Sequence, residues 1–180
     1  MTSMASAPSA ERGADMIARF DASRLEALRR LLEPWGLAVS TVPADAEIPG
    51  SFWGESEAGL SGATLWLRAD TPVHSALHEA AHYVCMDAAR RRHLHRDAGG
   101  DFEEENAVCY LQILWGAALP GIGSARVMAD MDAWGYTFRL GSARAWFDGE
   151  AESARAWLQT RGIVDADGLP RVSSRIDPSL

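Results

Sequence analysis

The feature that most constrains the fold of this chain is a strand-like run that leads directly into a helix carrying three of its five histidines. Residues 63–68, ATLWLR, alternate in polarity as a half-buried β-strand does, with Leu65 and Leu67 expected to face the core. Thr71 and Pro72 follow as a helix N-cap and a proline at the first helical position, and the helix is expected to continue to about residue 89. The histidines therefore lie mid-helix, directly after a strand.

Two of these histidines have the spacing of metal ligands. His78 and His82 are four residues apart, so on a helix they differ by about 40° in angle and about 6 Å in rise, and their side chains converge. Two converging imidazoles suit a zinc ion. Glu79 lies about 100° around the helix, where it can face a water on the metal as a general base. His74, one turn earlier, is interpreted as a residue at the rim of the site.

A catalytic zinc needs a third protein ligand, and histidines and carboxylates are both available. His93 lies eleven residues after His82, not the six that the extended three-histidine motif requires, so a carboxylate is favoured. The next helix begins with DFEEENAVCYLQIL, and Glu104 is in phase with its apolar positions. Glu104 is therefore preferred, with Glu103 and Glu105 left open. Acids in a first helical turn are also common without a metal.

The acidic composition argues against nucleic acid or an anionic membrane as a partner. The formal net charge is −8, from 17 basic and 25 acidic residues, and phosphate binding needs an excess of cations. The basic run 90–96 is typical of a solvated helix C-terminus. Two cysteines, Cys85 and Cys109, imply no disulfide framework. Neither a signal sequence nor an apolar run long enough to span a membrane is recognised, so a cytoplasmic location is expected.

The remaining patterns predict an α+β fold that is predominantly helical. Apolar spacing from Asp15 predicts an amphipathic helix that ends before Pro34, and residues 37–42, LAVSTV, predict a strand. A further short strand is expected around residues 52–53.

Three regions follow from these patterns: a disordered tail at 1–13, one domain at 14–120, and a helical C-terminal extension at 121–180 packed on that domain. In this extension, Ser142–Trp146 is echoed by Ser153–Trp157, and its tryptophans are interpreted as packing anchors.

The order of these elements resembles the gluzincin zinc metallopeptidases and is most similar to their small ImmA/IrrE-like members. The family motif is an H-E-x-x-H helix followed by a helix with a glutamate, then alanine, an aromatic residue, leucine and proline. The matching residues here, within a resemblance that covers about residues 20–120, are His78, Glu79, His82, Glu104, Ala107, Tyr110, Leu114 and Pro120. Ala80 and Ala81 stand where the family usually has Leu-Gly, and Val108 where it usually has Asn.

The resemblance implies a zincin-like, minimal gluzincin core in which a small sheet packs on the HExxH helix. It also implies that Zn²⁺ is held by His78, His82 and Glu104, with Glu79 as the catalytic base. The expected activity is hydrolysis of a peptide or protein substrate through a zinc-activated water.

Residues that contact the substrate are expected on the strand and in the C-terminal part. Trp66 is expected to line the cleft if residues 63–68 form the edge strand beside the helix. Tyr136 is expected to contact the substrate, and Tyr136, His93 and His95 are candidate donors to an oxyanion. The alternative is a non-catalytic regulatory or interaction protein that uses a metallopeptidase-like fold, with its tryptophan-rich C-terminal helices as the binding surface.

Overall fold

A computed structural model of the protein describes residues 17–51, 54–94 and 99–172. The strands are β1 (Ala38–Thr41), β2 (Gly59–Ser61) and β3 (Thr64–Leu67). The α-helices are α1 (Ala22–Leu32), α2 (Val73–Cys85), α3 (Ala88–Arg92), α4 (Phe102–Trp115), α5 (Gly123–Trp134), α6 (Ala143–Gly149) and α7 (Glu152–Thr160). Short 3₁₀ turns follow α1 at Glu33–Trp35 and α4 at Gly116–Ala118. About 51% of the described residues are helical and a small three-stranded sheet accompanies them, which confirms the α+β class.

The sheet has the order β1-β3-β2, so β3 is its central strand. β1 runs parallel to β3, and β2 runs antiparallel to it. Leu65 and Leu67 are fully buried, as the alternating pattern predicted. The expectation that residues 63–68 form an edge strand is wrong, because the short strand β2 was not predicted and pairs with β3 on the side away from β1. β2 packs closely: a Cβ on Gly59 would lie 2.0 Å from the carbonyl oxygen of Pro49.

Helix α2 carries the histidines and is shorter than the sequence predicted. Its N-cap is Pro72 and it ends at Cys85, not near residue 89. The chain turns there because Asp87 starts a new helix, α3, by accepting a hydrogen bond from the backbone N–H of Arg90 at 2.8 Å. Arg91 then donates to the carbonyl oxygens of Tyr83 and Val84 at 2.8 and 3.0 Å, and so satisfies the end of α2.

Within the described residues, the helix predicted from Asp15 begins only at Ala22, with Asp21 as its N-cap. Residues 17–21 precede it and are not helical. Arg19 forms an isolated antiparallel bridge with Pro72, and the backbone N–H of Ala18 donates to Oδ2 of the buried Asp130 at 3.0 Å. These contacts come from distant parts of the chain, and they override the local apolar periodicity that predicted a helix from residue 15.

A single hydrophobic cluster runs through the sheet, α2, α4 and the C-terminal helices, and it crosses residue 120 without interruption. Leu77 of α2, Leu111 of α4, Trp146 of α6 and Leu158 of α7 all belong to it.

The echoed segments form two separate helices, α6 and α7. The expected tail at 1–13 and the expected strand at 52–53 lie outside the described residues. Among the helices of the described ranges, none is both long and apolar enough to cross a membrane.

Candidate metal centre

The two histidines of the H-E-x-x-H motif converge as their spacing predicted. Nε2 of His78 and Nε2 of His82 are 3.1 Å apart, and their rings are nearly perpendicular at 85°. Two Zn–N bonds of about 2.0–2.1 Å in tetrahedral geometry place their nitrogens roughly 3.3 Å apart. The two imidazoles therefore already have the separation that one zinc ion requires.

Glu105 of α4 completes the cluster. Its Oε1 lies 3.2 Å from Nε2 of His82, and its Oε2 lies 3.9 Å from Nε2 of His78. One ligand atom from each of these three residues lies within 4.8 Å of the other two, and within the described ranges no other group of histidine, cysteine or acidic side chains does this. Two imidazoles and one carboxylate form the donor set of a catalytic zinc site, which keeps its fourth position for water.

The geometry favours Glu105 over Glu104, the residue preferred from the sequence, as the third member of the cluster. The helical phase was read correctly in one respect, because Glu104 does point inward and is only 7% exposed. Its Oε2, however, accepts a hydrogen bond from Nη1 of Arg90 at 2.7 Å. The Glu104 side chain therefore contacts Arg90 of α3 instead of the histidine pair. Glu105, one residue and about 100° further around α4, faces the histidines, while Glu103 is exposed.

Gln112 is a site residue that the sequence analysis missed. It is fully buried, and its Oε1 lies 3.0 Å from Nδ1 of His78 while its Nε2 donates to the carbonyl oxygen of His74 at 2.9 Å. The second bond fixes the amide orientation, so Oε1 accepts from the Nδ1–H of His78. This leaves Nε2 of His78 with its lone pair toward His82 and Glu105, the tautomer that a metal ligand needs. The available signal was a glutamine in an apolar run, two helical turns after Glu105.

Burial keeps both histidines in the neutral form that binds metals. Desolvation, followed by the charges of His78 and Arg90, lowers the pKa of His82 to about 3. Desolvation also lowers the pKa of His78, and the hydrogen bond with Gln112 opposes this. Neutral imidazoles need no deprotonation before a metal binds. Nδ1 of His82 is buried without a hydrogen-bond partner in the described part of the chain, so in that part only His78 is fixed by a second hydrogen bond.

A pocket of about 260 Å³ opens beside His78, and Glu79 lines it together with His74 and Tyr136. The Tyr136 ring packs edge-on against both His74 and His78, with ring centroids 5.7 Å apart in each case. Burial, more than any nearby charge, raises the pKa of Tyr136, so its hydroxyl keeps its proton at neutral pH and can donate. Glu79 and Tyr136, both predicted from the sequence, therefore lie beside the histidine cluster.

The other predicted residues do not meet at the site. Trp66 lies on the central strand, on the face opposite Leu65 and Leu67, and it does not line the pocket beside His78. Because β3 is the central strand, the condition under which Trp66 is expected to line the cleft is not met. His93 is exposed, and its Nδ1 lies 3.0 Å from the carbonyl oxygen of Ala89. His95 lies outside the described residues.

Comparison of the chain with family models, with curated proteins and with solved structures finds no match. The expectation of a gluzincin-type metallopeptidase therefore rests on the motif and on the geometry of these side chains.

Proposed function

We propose that this protein is a zinc-dependent metallopeptidase. The observation that carries the proposal is the cluster of His78, His82 and Glu105, in which two neutral imidazoles 3.1 Å apart meet a carboxylate from the next long helix. The hydrogen bond between Gln112 and Nδ1 of His78 supports it, because metal-binding histidines almost always have such a partner. A purely structural role would not require a glutamate directly after the first histidine of the pair.

The arrangement of elements is consistent with a zincin-like core. A small sheet packs beside the H-E-x-x-H helix α2, and the third ligand comes from the next long helix, α4. The substrate in this proposal is a peptide or protein segment that reaches the cluster through the pocket lined by His78 and Glu79.

Each residue has a distinct role in the proposed reaction. His78, His82 and Glu105 would hold the zinc ion, which when bound supplies a Lewis acid that polarises a carbonyl and acidifies a water. The Glu79 carboxylate accepts the proton of the attacking water and then delivers it to the leaving amine. The Tyr136 hydroxyl, which stays protonated because burial raises its pKa, donates a hydrogen bond to the carbonyl oxygen as negative charge develops on it.

Replacing Glu79 with glutamine tests the proposal directly. Elemental analysis of the purified wild-type protein should give about one zinc per chain. Glu79→Gln should keep that zinc but lose hydrolysis of a peptide library, by at least about 10²-fold if Glu79 is the general base. Glu103→Gln removes the same charge from an exposed position and serves as the matched control, with unchanged hydrolysis.

Two results would contradict the proposal. Wild-type protein that neither contains nor takes up zinc would remove the metal site. Zinc binding without hydrolysis of any peptide or denatured protein would instead favour a regulatory or interaction protein built on a metallopeptidase-like fold.

A further inference from the structure

The pocket beside the histidine cluster has a chemical character of its own. Besides His78, Glu79 and Tyr136, its lining includes Glu57, His74 and Trp134. At about 260 Å³ it is slightly smaller than the roughly 300–1,000 Å³ of typical small-molecule sites, so it suits one side chain or one chain terminus. Two carboxylates and several aromatic rings line it, and none of its lining residues in the described part of the chain is a lysine or an arginine.

Several polar atoms in the pocket wall are buried without a hydrogen-bond partner. His74 is 1% exposed, and neither of its ring nitrogens has a partner in the described part of the chain. Oε2 of Glu57 is likewise buried and unpaired there. Buried polar groups are nearly always paired in native proteins, because leaving one unpaired is costly. Such atoms around a pocket are ones that a bound ligand can pair with.

A hydrogen-bond donor with a positive charge would match these groups. Both Glu57 and Glu79 are carboxylates, and ionised carboxylates only accept hydrogen bonds. Burial raises the pKa of the Glu57 carboxyl, so a cation beside it would favour its ionised form. Arg19 contributes a positive charge that acts on His74, but it does not line the pocket.

We propose that this pocket is a binding subsite for a cationic group of the substrate, either a lysine or arginine side chain or a free α-amino group. Glu57 pairs with the cation, and one ring nitrogen of His74 accepts a hydrogen bond from it. Trp134, whose ring lies 5.2 Å from that of His74, provides an aromatic face for the same cation. The inference deepens the proposed peptidase function and rests on it, because it names the class of peptide that the enzyme selects.

Matched pairs of peptides test the selectivity. Fluorogenic peptides that carry lysine or norleucine, and arginine or citrulline, at each position differ in charge with nearly unchanged shape. We expect kcat/KM to be at least about tenfold higher for the charged member at one position, since hydrogen bonds to charged groups are among the stronger ones. Glu57→Gln should abolish most of this ratio, whereas Glu55→Gln, which removes an exposed charge that does not line the pocket, should keep it.

A binding measurement separates this inference from the peptidase proposal. Calorimetric titration of the intact protein uses three probes: N-acetyl-lysine methylamide, N-acetyl-norleucine methylamide and norleucine methylamide, which has a free α-amino group. Tighter binding of the first or of the third probe supports the cation subsite and identifies whether a side chain or an amino terminus occupies it. His74→Phe, which keeps an aromatic ring but no nitrogen, should weaken the preferred probe and leave N-acetyl-norleucine methylamide unchanged.

The outcomes of the two measurements are distinguishable. A cation preference in binding without any hydrolysis would reject the peptidase proposal and retain a cation-binding pocket. Hydrolysis with equal rates and equal affinities for charged and neutral probes would overturn the subsite alone. Loss of the preference in Glu55→Gln as well as in Glu57→Gln would also overturn it, because the effect would then be one of general charge.

Discussion

Replacing Gln112 with methionine tests whether its amide holds His78 in the orientation that metal binding requires. The amide makes two buried hydrogen bonds, with Nδ1 of His78 at 3.0 Å and with the carbonyl oxygen of His74 at 2.9 Å. Methionine keeps a similar length and volume but makes neither bond. In Gln112→Met the His78 ring loses the hydrogen bond that sets its orientation and selects the tautomer that presents Nε2 to His82 and Glu105.

The size of the effect follows from these two bonds. Loss of a hydrogen-bond partner behind a metal-binding histidine typically weakens metal binding by about 10–100-fold, or roughly 1.4–2.7 kcal/mol. The metal-free protein should also lose about 1–3 kcal/mol of its free energy of unfolding, at roughly 0.5–1.5 kcal/mol for each hydrogen bond. The effect on zinc affinity is specific to the site, whereas the effect on stability is not.

The assay is a competition for zinc between the protein and a chromophoric chelator, together with urea denaturation of the metal-free protein. Gln159→Met is the matched control, because the Gln159 amide, on α7, donates to the carbonyl oxygens of Asp165 and Ala166, which follow that helix. It should lower stability slightly and leave the zinc Kd unchanged. An unchanged zinc Kd in a folded Gln112→Met protein would refute the assigned role, and Gln112 would then serve packing alone.

Three further predictions follow from the same contacts. Glu105→Gln should raise the zinc Kd by more than the roughly 10–100-fold expected at Gln112. Glu104→Gln should change the zinc Kd by at most about threefold and lower the free energy of unfolding by about 1.5–3 kcal/mol. The reverse order of zinc affinities would restore Glu104 as the ligand. The pKa of His74 is about 3 in the folded state and about 6.5 in the unfolded state. Between these pH values the unfolded state binds more protons, so the free energy of unfolding falls by about 1.4 kcal/mol for each pH unit that the pH is lowered. The pH dependence of urea unfolding, measured with chelator present, should therefore be shallower by that amount in His74→Phe, and equal slopes would contradict the buried neutral state. Asp101 caps α4 by accepting a hydrogen bond from the backbone N–H of Glu104 at 2.9 Å. Asp101→Ala should therefore lower the free energy of urea unfolding by about 1 kcal/mol and leave the zinc Kd unchanged. An altered zinc Kd would mean that the cap also positions the ligand.

The elements around the site were predictable where their signal is local. Strand β3 follows from strict alternation, and the convergence of His78 and His82 follows from helical geometry alone. The order of strands was not predictable in the same way. β2 is three residues long and begins with a glycine, so it carries neither the length nor the β-branched residues that mark a strand. Without β2, the central strand β3 is easily taken for an edge, and Trp66 for a cleft residue.

The role of His74 could not be read from sequence because its surroundings are non-local. The other wall of its pocket comes from Trp134 and Tyr136, sixty or more residues further along the chain. An extra histidine one turn before the motif has no local pattern to explain it, so it was interpreted as a rim residue. The structure instead buries it at 1% exposure in the wall of the pocket.

The choice between Glu104 and Glu105 shows how far helical phase can decide a ligand. Consecutive residues of α4 differ by about 100° around the helix axis, and the helix is buried on more than one side. Helical periodicity therefore distinguishes buried residues from exposed ones, but it does not show which neighbouring element a buried residue contacts. The inward direction at Glu104 is occupied by Arg90, whose charge also acts on His82 and helps to lower its pKa. Glu104 is therefore paired with a cation of α3, and its neighbour Glu105 faces the histidines.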